Sequence, residues 1–569
     1  MKYTFHINKP QLQYIDISVE LKATGKETVL YFPAWRPGRY ELGDFVKNVN
    51  HFEVFNEKGE PLNYHKTNKN TWSVNSAGST RLLVKYSYYA AELNAGSTFL
   101  DEPQLYVNPV NCCLFTDEEY NEPITVQLNI PEEWEVAHSL KVENNTFKAQ
   151  NYDELVDAPF ICSSNLQKNK FVVDNTTFYI WFNGLVKPDW DKMIKDFTAF
   201  TKRQFQAFGS FPTTEYHYLI QILPYKAYHG VEHSQSTVIT LGPSYAIFEE
   251  YYTELLGVSS HELYHTWNVK AIRPIEWTPY DFKKENYSRL GYIAEGVTTY
   301  MGDLMLFKSG VFDKKQYFIE MEAQLQKHFD NFGRLNYSVA DSSFDTWIDG
   351  YVAGAPGRKV SIYTEGCLIA FMTDIHILRS TGNTKNLDDV MRNLYEKYGV
   401  RQIGITEEIY QNEIEKVAGK SLQNIFDNYV NGTKDYEKEL KECFQYLGIE
   451  IDTNPSESEF AAYLGAKLES NQEPRIVALY PGSPLEKAGA MLQDKIVAIN
   501  NIEVKGDADR WARFFKGEQK EITISRGGKF FQLKVKEKEE VYYKRYSLLQ
   551  LPENQCTEEQ KQNFIAWSK

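Results

Sequence analysis

Cysteine is scarce in this chain. Its 569 residues hold six (Cys112, Cys113, Cys162, Cys367, Cys443 and Cys556), with no Cys-x-x-Cys spacing and no framework pattern. That excludes a disulfide scaffold or a cysteine-built metal site, and the six read as reduced thiols, with Cys112 and Cys113 adjacent in a strand-like run. No stretch approaches the ~20 consecutive apolar residues of a membrane span. The opening Met1-Lys2-Tyr3-Thr4-Phe5-His6 lacks the apolar core and small-residue cleavage site of a signal peptide, so the cytoplasm is the expected compartment. An excess of positive charge is also missing. With 62 Lys and Arg against 77 Asp and Glu, the net charge of −15 argues against nucleic acid or an anionic membrane as partner. There is no internal repeat and no low-complexity tract.

The remaining composition, 42% hydrophobic and 24% charged, is that of a soluble multidomain globular protein, and the 15% aromatic content suits broad β-surfaces and aromatic-lined clefts. Residues 1–165 read as a β-rich, sandwich-like domain. Tyr14 to Leu21, Thr28 to Phe32, Arg81 to Tyr89 and Ile124 to Ile130 alternate or are β-branched, with turn signals such as Arg36-Pro37-Gly38 between them. Residues 166–450 become mainly helical after a strand or two, with Asp388 to Tyr398 and Glu407 to Val417 as amphipathic helices. A third unit, 455–540, mixes strands (Ala462 to Leu468, Arg475 to Leu479, Asp494 to Asn500), short helices (one after Gly482-Ser483-Pro484, one over 508–516) and a hairpin about Gly527-Gly528. Residues 541–569 read as a polar, aromatic tail. The expected fold class is therefore multidomain α+β.

Within the second unit, His261-Glu262-Leu263-Tyr264-His265 forms an H-E-x-x-H pattern in a helical context. Histidines at i and i+4 share one helix face and can reach one metal ion, while Glu262 is placed to take a proton from a water on that ion. Leu256, Leu263 and Trp267 form an apolar stripe on the opposite side. A third ligand decides between a metal site and two solvated histidines, and Glu295 is the best candidate. The segment Arg289 to Met305 carries apolar residues at Leu290, Ile293, Val297, Met301 and Leu304, a strong helical pattern with Glu295 on its other face. Arg273-Pro274 and Pro279 end the first helix and let the chain turn back. Two histidines and one carboxylate leave a fourth position open for water, the mark of a catalytic rather than a structural zinc site.

The run His261 to Pro274, HELYHTWNVKAIRP, resembles the signature of the glycyl-aminopeptidase-like zinc metallopeptidases that carry a PDZ domain. Pro33-Ala34-Trp35-Arg36-Pro37-Gly38-Arg39-Tyr40 is similar to that family's N-terminal domain, and Ser342-Ser343-Phe344-Asp345-Thr346-Trp347 to its catalytic domain. Residues 461–535, with GSPLEKAG followed by DKIVAINNIEV, resemble a bacterial-type PDZ domain. The resemblance implies a thermolysin-like catalytic domain holding one Zn2+ through His261, His265 and Glu295, with Glu262 as general base and Thr298 supporting the ligands. It further implies that Glu232, in His229-Gly230-Val231-Glu232-His233, binds the free α-amine of a peptide substrate. Tyr363, in Tyr363-Thr364-Glu365-Gly366, is implied as the donor to the oxyanion. His229 stands where the family pattern usually has glycine, and Glu365 where it has lysine. Asn268 and Lys270 are expected to be structural.

The function implied is removal of N-terminal residues, Gly or Ala by preference, from peptides with a free N-terminus. Two readings of the PDZ domain stand side by side: it takes a C-terminal peptide ligand, with Tyr463-Leu464-Gly465-Ala466 as the carboxylate loop, or it simply packs on the catalytic domain. The alternatives are a zinc endopeptidase on the same site, if Glu232 does not face the cleft, and a PDZ peptide-binding scaffold with a structural metal.

Overall fold

The computed structural model describes residues 1–352, 354–469 and 472–569. By its internal contacts the chain divides into two units, the first formed by residues 1–317, 332–440 and 562–569, the second by 318–331 and 441–561.

The first unit begins with a β-rich region. Strands β1 (Lys2–His6), β2 (Tyr14–Lys22), β3 (Val49–Asn56), β4 (Arg81–Tyr89), β5 (Ile124–Asn129) and β6 (Thr146–Ala149) form one sheet in the order β6-β5-β1-β2-β4-β3. Strict alternation in β2 turns Ile15, Ile17, Val19 and Leu21 inward, where they meet Val84 and Tyr86 of β4 and aromatic residues such as Phe5 and Phe160. Separate sheets of four and three short strands complete the region. Cys112 does not lie in a strand: Pro109–Cys112 is a single helical turn with proline at its start, where the missing N–H costs nothing. All six thiols are free.

A five-stranded sheet follows, made of β7 (Gln167–Val173), β8 (Thr176–Gly184), β9 (Glu215–Ile222), β10 (Ala227–Glu232) and β11 (Ser236–Gly242), in the order β7-β8-β9-β11-β10. Among the described residues β10 is therefore an edge strand, paired only with β11, with Gly230 opposite Ile239. Helix α1 (Trp190–Phe208) crosses from β8 to β9, which run parallel. Helices α2 (Tyr252–His265), α3 (Thr298–Lys308) and α4 (Ile362–Thr381) then build the helical body.

The segment expected as one amphipathic helix from Arg289 is instead a π-helical turn, Tyr292–Val297, that runs into α3, and every residue of that turn is buried. Its polar side is covered too, because it faces the site described below and not solvent. At the far end of the chain, helix Glu558–Ser568 brings Trp567 into the first unit, where it donates from Nε1 to the Tyr300 hydroxyl at 2.9 Å.

The second unit contains a compact β/α domain around Phe460, Leu464, Ile476, Leu485, Ile496, Ile499, Ile522, Ile524 and Val535. Its hairpin, Gln519–Arg526 with Lys529–Lys536, turns at Gly527 and Gly528, both at positive φ. Of the strand expected over Ala462 to Leu468 only Ala466–Leu468 is extended, and Phe460–Leu464 winds into a π-helical turn closed by Gly465 at φ 72°. A short apolar run suits a buried helix turn as well as a strand, and the glycine sets the break. Part of the C-terminal segment is also ordered into the fold, since Lys544–Gln550 pairs antiparallel with Ile449–Pro455. No helix among the described residues is long and apolar enough to cross a membrane.

Candidate active site

Helix α2 places His261 and His265 one turn apart, with their Nε2 atoms 3.0 Å from each other. The π-helical turn before α3 supplies Glu295, whose Oε2 lies 3.3 Å from His265 Nε2 and 3.8 Å from His261 Nε2. A tetrahedral zinc ion with bonds of about 2.0–2.1 Å needs ligand atoms roughly 3.4 Å apart. The three separations bracket that value, so the donor set fits such an ion. Burial pushes the Glu295 carboxyl up, but His265 and His261 outweigh it and hold the group below its ordinary range.

The ligands are themselves held. His265 Nδ1 is 2.7 Å from the Asn268 carbonyl, which fixes Nδ1 as the donor and leaves the Nε2 lone pair for a metal. The Asn268 side chain donates to the Ile293 carbonyl at 2.9 Å and to Thr298 Oγ1 at 3.0 Å, tying the end of α2 to the turn that carries Glu295. Thr298 in turn donates to the Ala294 carbonyl at 2.7 Å. A further contact comes from far away in sequence: the Tyr40 hydroxyl donates to Glu295 Oε1 at 3.3 Å. Tyr40 is buried and stacks on Trp277 at 4.6 Å, so the hydroxyl is fixed in place.

Glu262 and Glu232 lie close to these ligands. Donor atoms of Glu232, Glu262 and His265 all fall within 4.8 Å of one another. Both carboxylates are buried, and Glu262 Oε2 and Glu232 Oε1 have no hydrogen-bond partner among the described residues. Burial raises the Glu262 carboxyl well above its ordinary range, and Glu232 and Glu295 add to this against the opposing pull of His265 and Arg36. Two glycines let these groups approach. A Cβ on Gly230 of β10 would stand 2.8 Å from Glu262 Cδ, and one on Gly38, at φ 78°, would stand 2.5 Å from Glu232 Oε2. Hence β10 backs onto Glu262 and the Pro37–Gly38 turn backs onto Glu232.

Tyr363 sits in the first turn of α4, half-buried. Its hydroxyl pairs with that of Tyr351, which also accepts from the Tyr40 backbone N–H at 3.3 Å. Burial, then the Glu295 charge, push the Tyr363 hydroxyl well above its ordinary range, so it stays protonated and able to donate. Glu365, at the position where lysine was expected, is buried and interacts with the buried Tyr436.

Lys270 forms a buried pair with Asp157 at 2.6 Å, and Asp157 also accepts from the Ser234 backbone N–H at 2.9 Å. This pair fastens the β-rich region to the chain leaving α2. Burial pushes the Asp157 carboxyl up, yet Lys270 and His233 together hold it below the ordinary carboxylate range.

The structure thus brings His261, His265, Glu295, Glu262 and Glu232 together and sets Tyr363 within range of the Glu295 charge. The sequence reading missed Arg36, Gly38, Tyr40 and Tyr351. The signal for three of them was present in Pro33 to Tyr40, a run dense in Trp, Arg, Pro, Gly and Tyr outside any periodic element, but no role followed from it.

Comparison with known proteins agrees with this arrangement. Residues 2–164 match the M61 peptidase N-terminal domain, residues 254–369 the M61 glycyl aminopeptidase domain, and residues 475–526 a PDZ domain. Among curated proteins no match is found. Of solved structures, an aminopeptidase N family protein from Idiomarina loihiensis shares the fold, with TM-score 0.91, 24% identity and 100% of each chain covered. An M1 zinc metallopeptidase from Deinococcus radiodurans, solved with a Tyr-Ser-Ala substrate, aligns at TM-score 0.47 and 13% identity over 76% of this chain and 94% of that one. The chain thus carries the N-terminal and glycyl-aminopeptidase domains of M61 peptidases together with a PDZ domain, consistent with a zinc metallopeptidase.

Proposed function

We propose that this zinc aminopeptidase holds one Zn2+ on His261, His265 and Glu295 and removes single residues from the free N-terminus of peptides. The observation that carries the reading is Glu232, a buried carboxylate with an unpartnered oxygen, set within 4.8 Å of Glu262 and His265. Leaving such an oxygen unsatisfied is costly unless a ligand completes it. A substrate ammonium is the complementary group, and its position beside the metal ligands limits cleavage to the first peptide bond.

Zinc bound there supplies the usual chemistry of such sites, acidifying a water and polarising the scissile carbonyl. Glu262 accepts the water's proton as the oxygen attacks and passes it to the leaving amine. Tyr363 turns its hydroxyl from Tyr351 toward the oxygen that gains charge, a donor whose loss costs roughly 2.7–4 kcal/mol in comparable sites. Edge strand β10 presents its free side to the peptide backbone, as in strand-addition recognition. The family resemblance points to Gly or Ala as the residue released. The PDZ domain supplies a second peptide site, with the turn at Leu464-Gly465 as its carboxylate loop.

The test compares Ala-p-nitroanilide with its N-acetyl derivative, with and without chelator and zinc add-back, in the native enzyme and in Glu262→Gln. Expected are cleavage of the free amine alone, loss with chelator, recovery with zinc, and turnover cut to a small residual rate in Glu262→Gln with zinc still bound. Equal cleavage of blocked and free substrates, or internal cuts in a long peptide, would replace the aminopeptidase by an endopeptidase.

A further inference from the structure

The end of β10 away from Glu232 carries three exposed tyrosines. Tyr228 lies in the strand, Tyr225 just before it and Tyr245 just after β11, and they are 62%, 58% and 78% exposed. The register brings them to one end of the sheet. Ala227 pairs with Gly242 and Tyr228 with Leu241, and Gly242 packs against the Tyr225 carbonyl so closely that a Cβ there would overlap it. Singly exposed aromatics need no explanation, but three at one end of a strand that also carries the proposed amine site do.

The pleat fixes which way Tyr228 faces. Side chains alternate along a strand, so Tyr228, Gly230 and Glu232 share one face of β10, and His229 and Val231 share the other. Val231 is packed into the core with Trp181, Leu219 and Val238. The opposite face is the catalytic one: a Cβ on Gly230 would stand 2.8 Å from Glu262 Cδ, and donor atoms of Glu232, Glu262 and His265 fall within 4.8 Å of one another. The backbone alternates in the same way. The His233 N–H donates across the hairpin turn to the Ser236 carbonyl at 2.9 Å, so Val231 and His229 bond inward to β11 while the N–H and C=O of Gly230 turn to the open edge.

Three points along β10 give a bound peptide its direction. The α-ammonium meets Glu232, the first peptide bond lies beside Gly230 and Glu262, and the chain then runs on toward Tyr228, antiparallel to the strand. Gly230 and Tyr228 are two residues apart, about 7 Å along the strand, and an extended peptide advances at the same rate. Its third and fourth residues therefore come level with Tyr228.

We propose that Tyr228 is a specificity-determining residue, forming with Tyr225 and Tyr245 a downstream subsite for an aromatic or branched apolar side chain on the third or fourth residue of the substrate. The phenol rings offer apolar faces to such a side chain while their hydroxyls stay in water. The proposal deepens the aminopeptidase reading and rests on it. It concerns residues that remain on the product and leaves the released residue small.

The experiment uses heptapeptides of Ala followed by six Ser, in which one Phe is moved from position two to position seven. Loss of the intact peptide is followed by mass spectrometry with the full-length zinc enzyme and with Tyr228→Ala and Tyr228→Phe. In the native enzyme Phe at position three or four should raise kcat/KM about threefold to tenfold over the peptide without Phe, chiefly through KM, with no gain at six or seven. That positional comparison needs no variant to fold. The gain should fall toward one in Tyr228→Ala and persist in Tyr228→Phe, which keeps the ring. With Ala-p-nitroanilide still cleaved, a flat profile, a peak at any other position or a gain untouched by Tyr228→Ala overturns the downstream subsite and leaves the aminopeptidase standing. Failure to cleave any free-amine substrate, Ala-p-nitroanilide included, overturns both.

Discussion

Gly230→Ala tests the proposed base without touching it. A Cβ at this position on β10 would overlap Glu262 Oε1 and stand 2.8 Å from both Glu262 Cδ and Val258 Cγ2. Carbon contacts are ordinarily about 3.5–4.0 Å, so the carboxylate must withdraw by about 1 Å. Much of the strain falls on the free end of a side chain, and the cost to folding should be no more than the ~1–3 kcal/mol typical of inserting a methyl group into a packed site. The cost to chemistry is larger. A general base works at about 2.6–3.2 Å from the proton it takes, and a displacement near 1 Å costs on the order of 10²-fold, equivalent to about 2.7 kcal/mol in the barrier. The assay is steady-state cleavage of Ala-p-nitroanilide, with zinc content measured in parallel. kcat should fall about a hundredfold at unchanged zinc, with KM changed much less. The decisive arm is the double variant: in a Glu262→Gln background Gly230→Ala should add little further loss, because the group it displaces no longer acts. A full hundredfold loss in that background as well, or native kcat in the single variant, would refute the placement of the base.

Tyr40→Phe keeps the stack on Trp277 and deletes only the hydroxyl that reaches Glu295. Zinc affinity by chelator competition should weaken about 10–100-fold, as it does when ligand-orienting hydrogen bonds are lost elsewhere, while the metal-free protein loses no more than about 1.5 kcal/mol; native affinity would remove Tyr40 from the site. Lys270→Met leaves the half-buried Asp157 with only the Ser234 N–H and His233 and should destabilise the protein by about 1–3 kcal/mol at neutral pH, read by denaturant unfolding. The pH signature gives the sign. In the native protein the Asp157 carboxyl is held below its unfolded value near 3.9, so its contribution is present above about pH 4 and is lost as pH falls through the folded value. In Lys270→Met burial without its main partner raises that carboxyl, so the deficit should shrink as the pH is lowered; a deficit independent of pH would rule out the pair as its cause.

Strands such as Tyr14–Lys22 and Arg81–Tyr89 were legible because one face of each is buried and the sequence alternates to match. The H-E-x-x-H helix was legible for a similar reason, since its chemistry is confined to one turn. The π-helical turn at Tyr292–Val297 was not. Its apolar positions recur as they would in an α-helix, and the widened turn becomes visible only in the backbone hydrogen bonds. The turn at Phe460–Leu464 was missed because five apolar residues carry no period of their own. The Pro109–Cys112 turn reads as a strand only while its leading proline is ignored.

What escaped the sequence at the site has a common cause, namely contact over long separations. Tyr40 and Glu295 are 255 residues apart, and nothing within either segment points to the other. Yet the short run from Arg36 to Tyr40 touches several parts of the proposed machinery. Gly38 supports Glu232, the Tyr40 hydroxyl holds Glu295, and the Tyr40 backbone N–H holds Tyr351, which engages Tyr363. The M61 catalytic-domain match spans His261, Glu262, His265, Glu295 and Tyr363 but neither Glu232 nor this run, which lies in the N-terminal domain match. A metal-binding triad can therefore be encoded in one stretch of chain, while the exopeptidase geometry needs a loop from another. The β-rich region is on this account part of the active site: without it the two histidines and Glu295 remain, but the outer contact on Glu295 and the backing of Glu232 are lost.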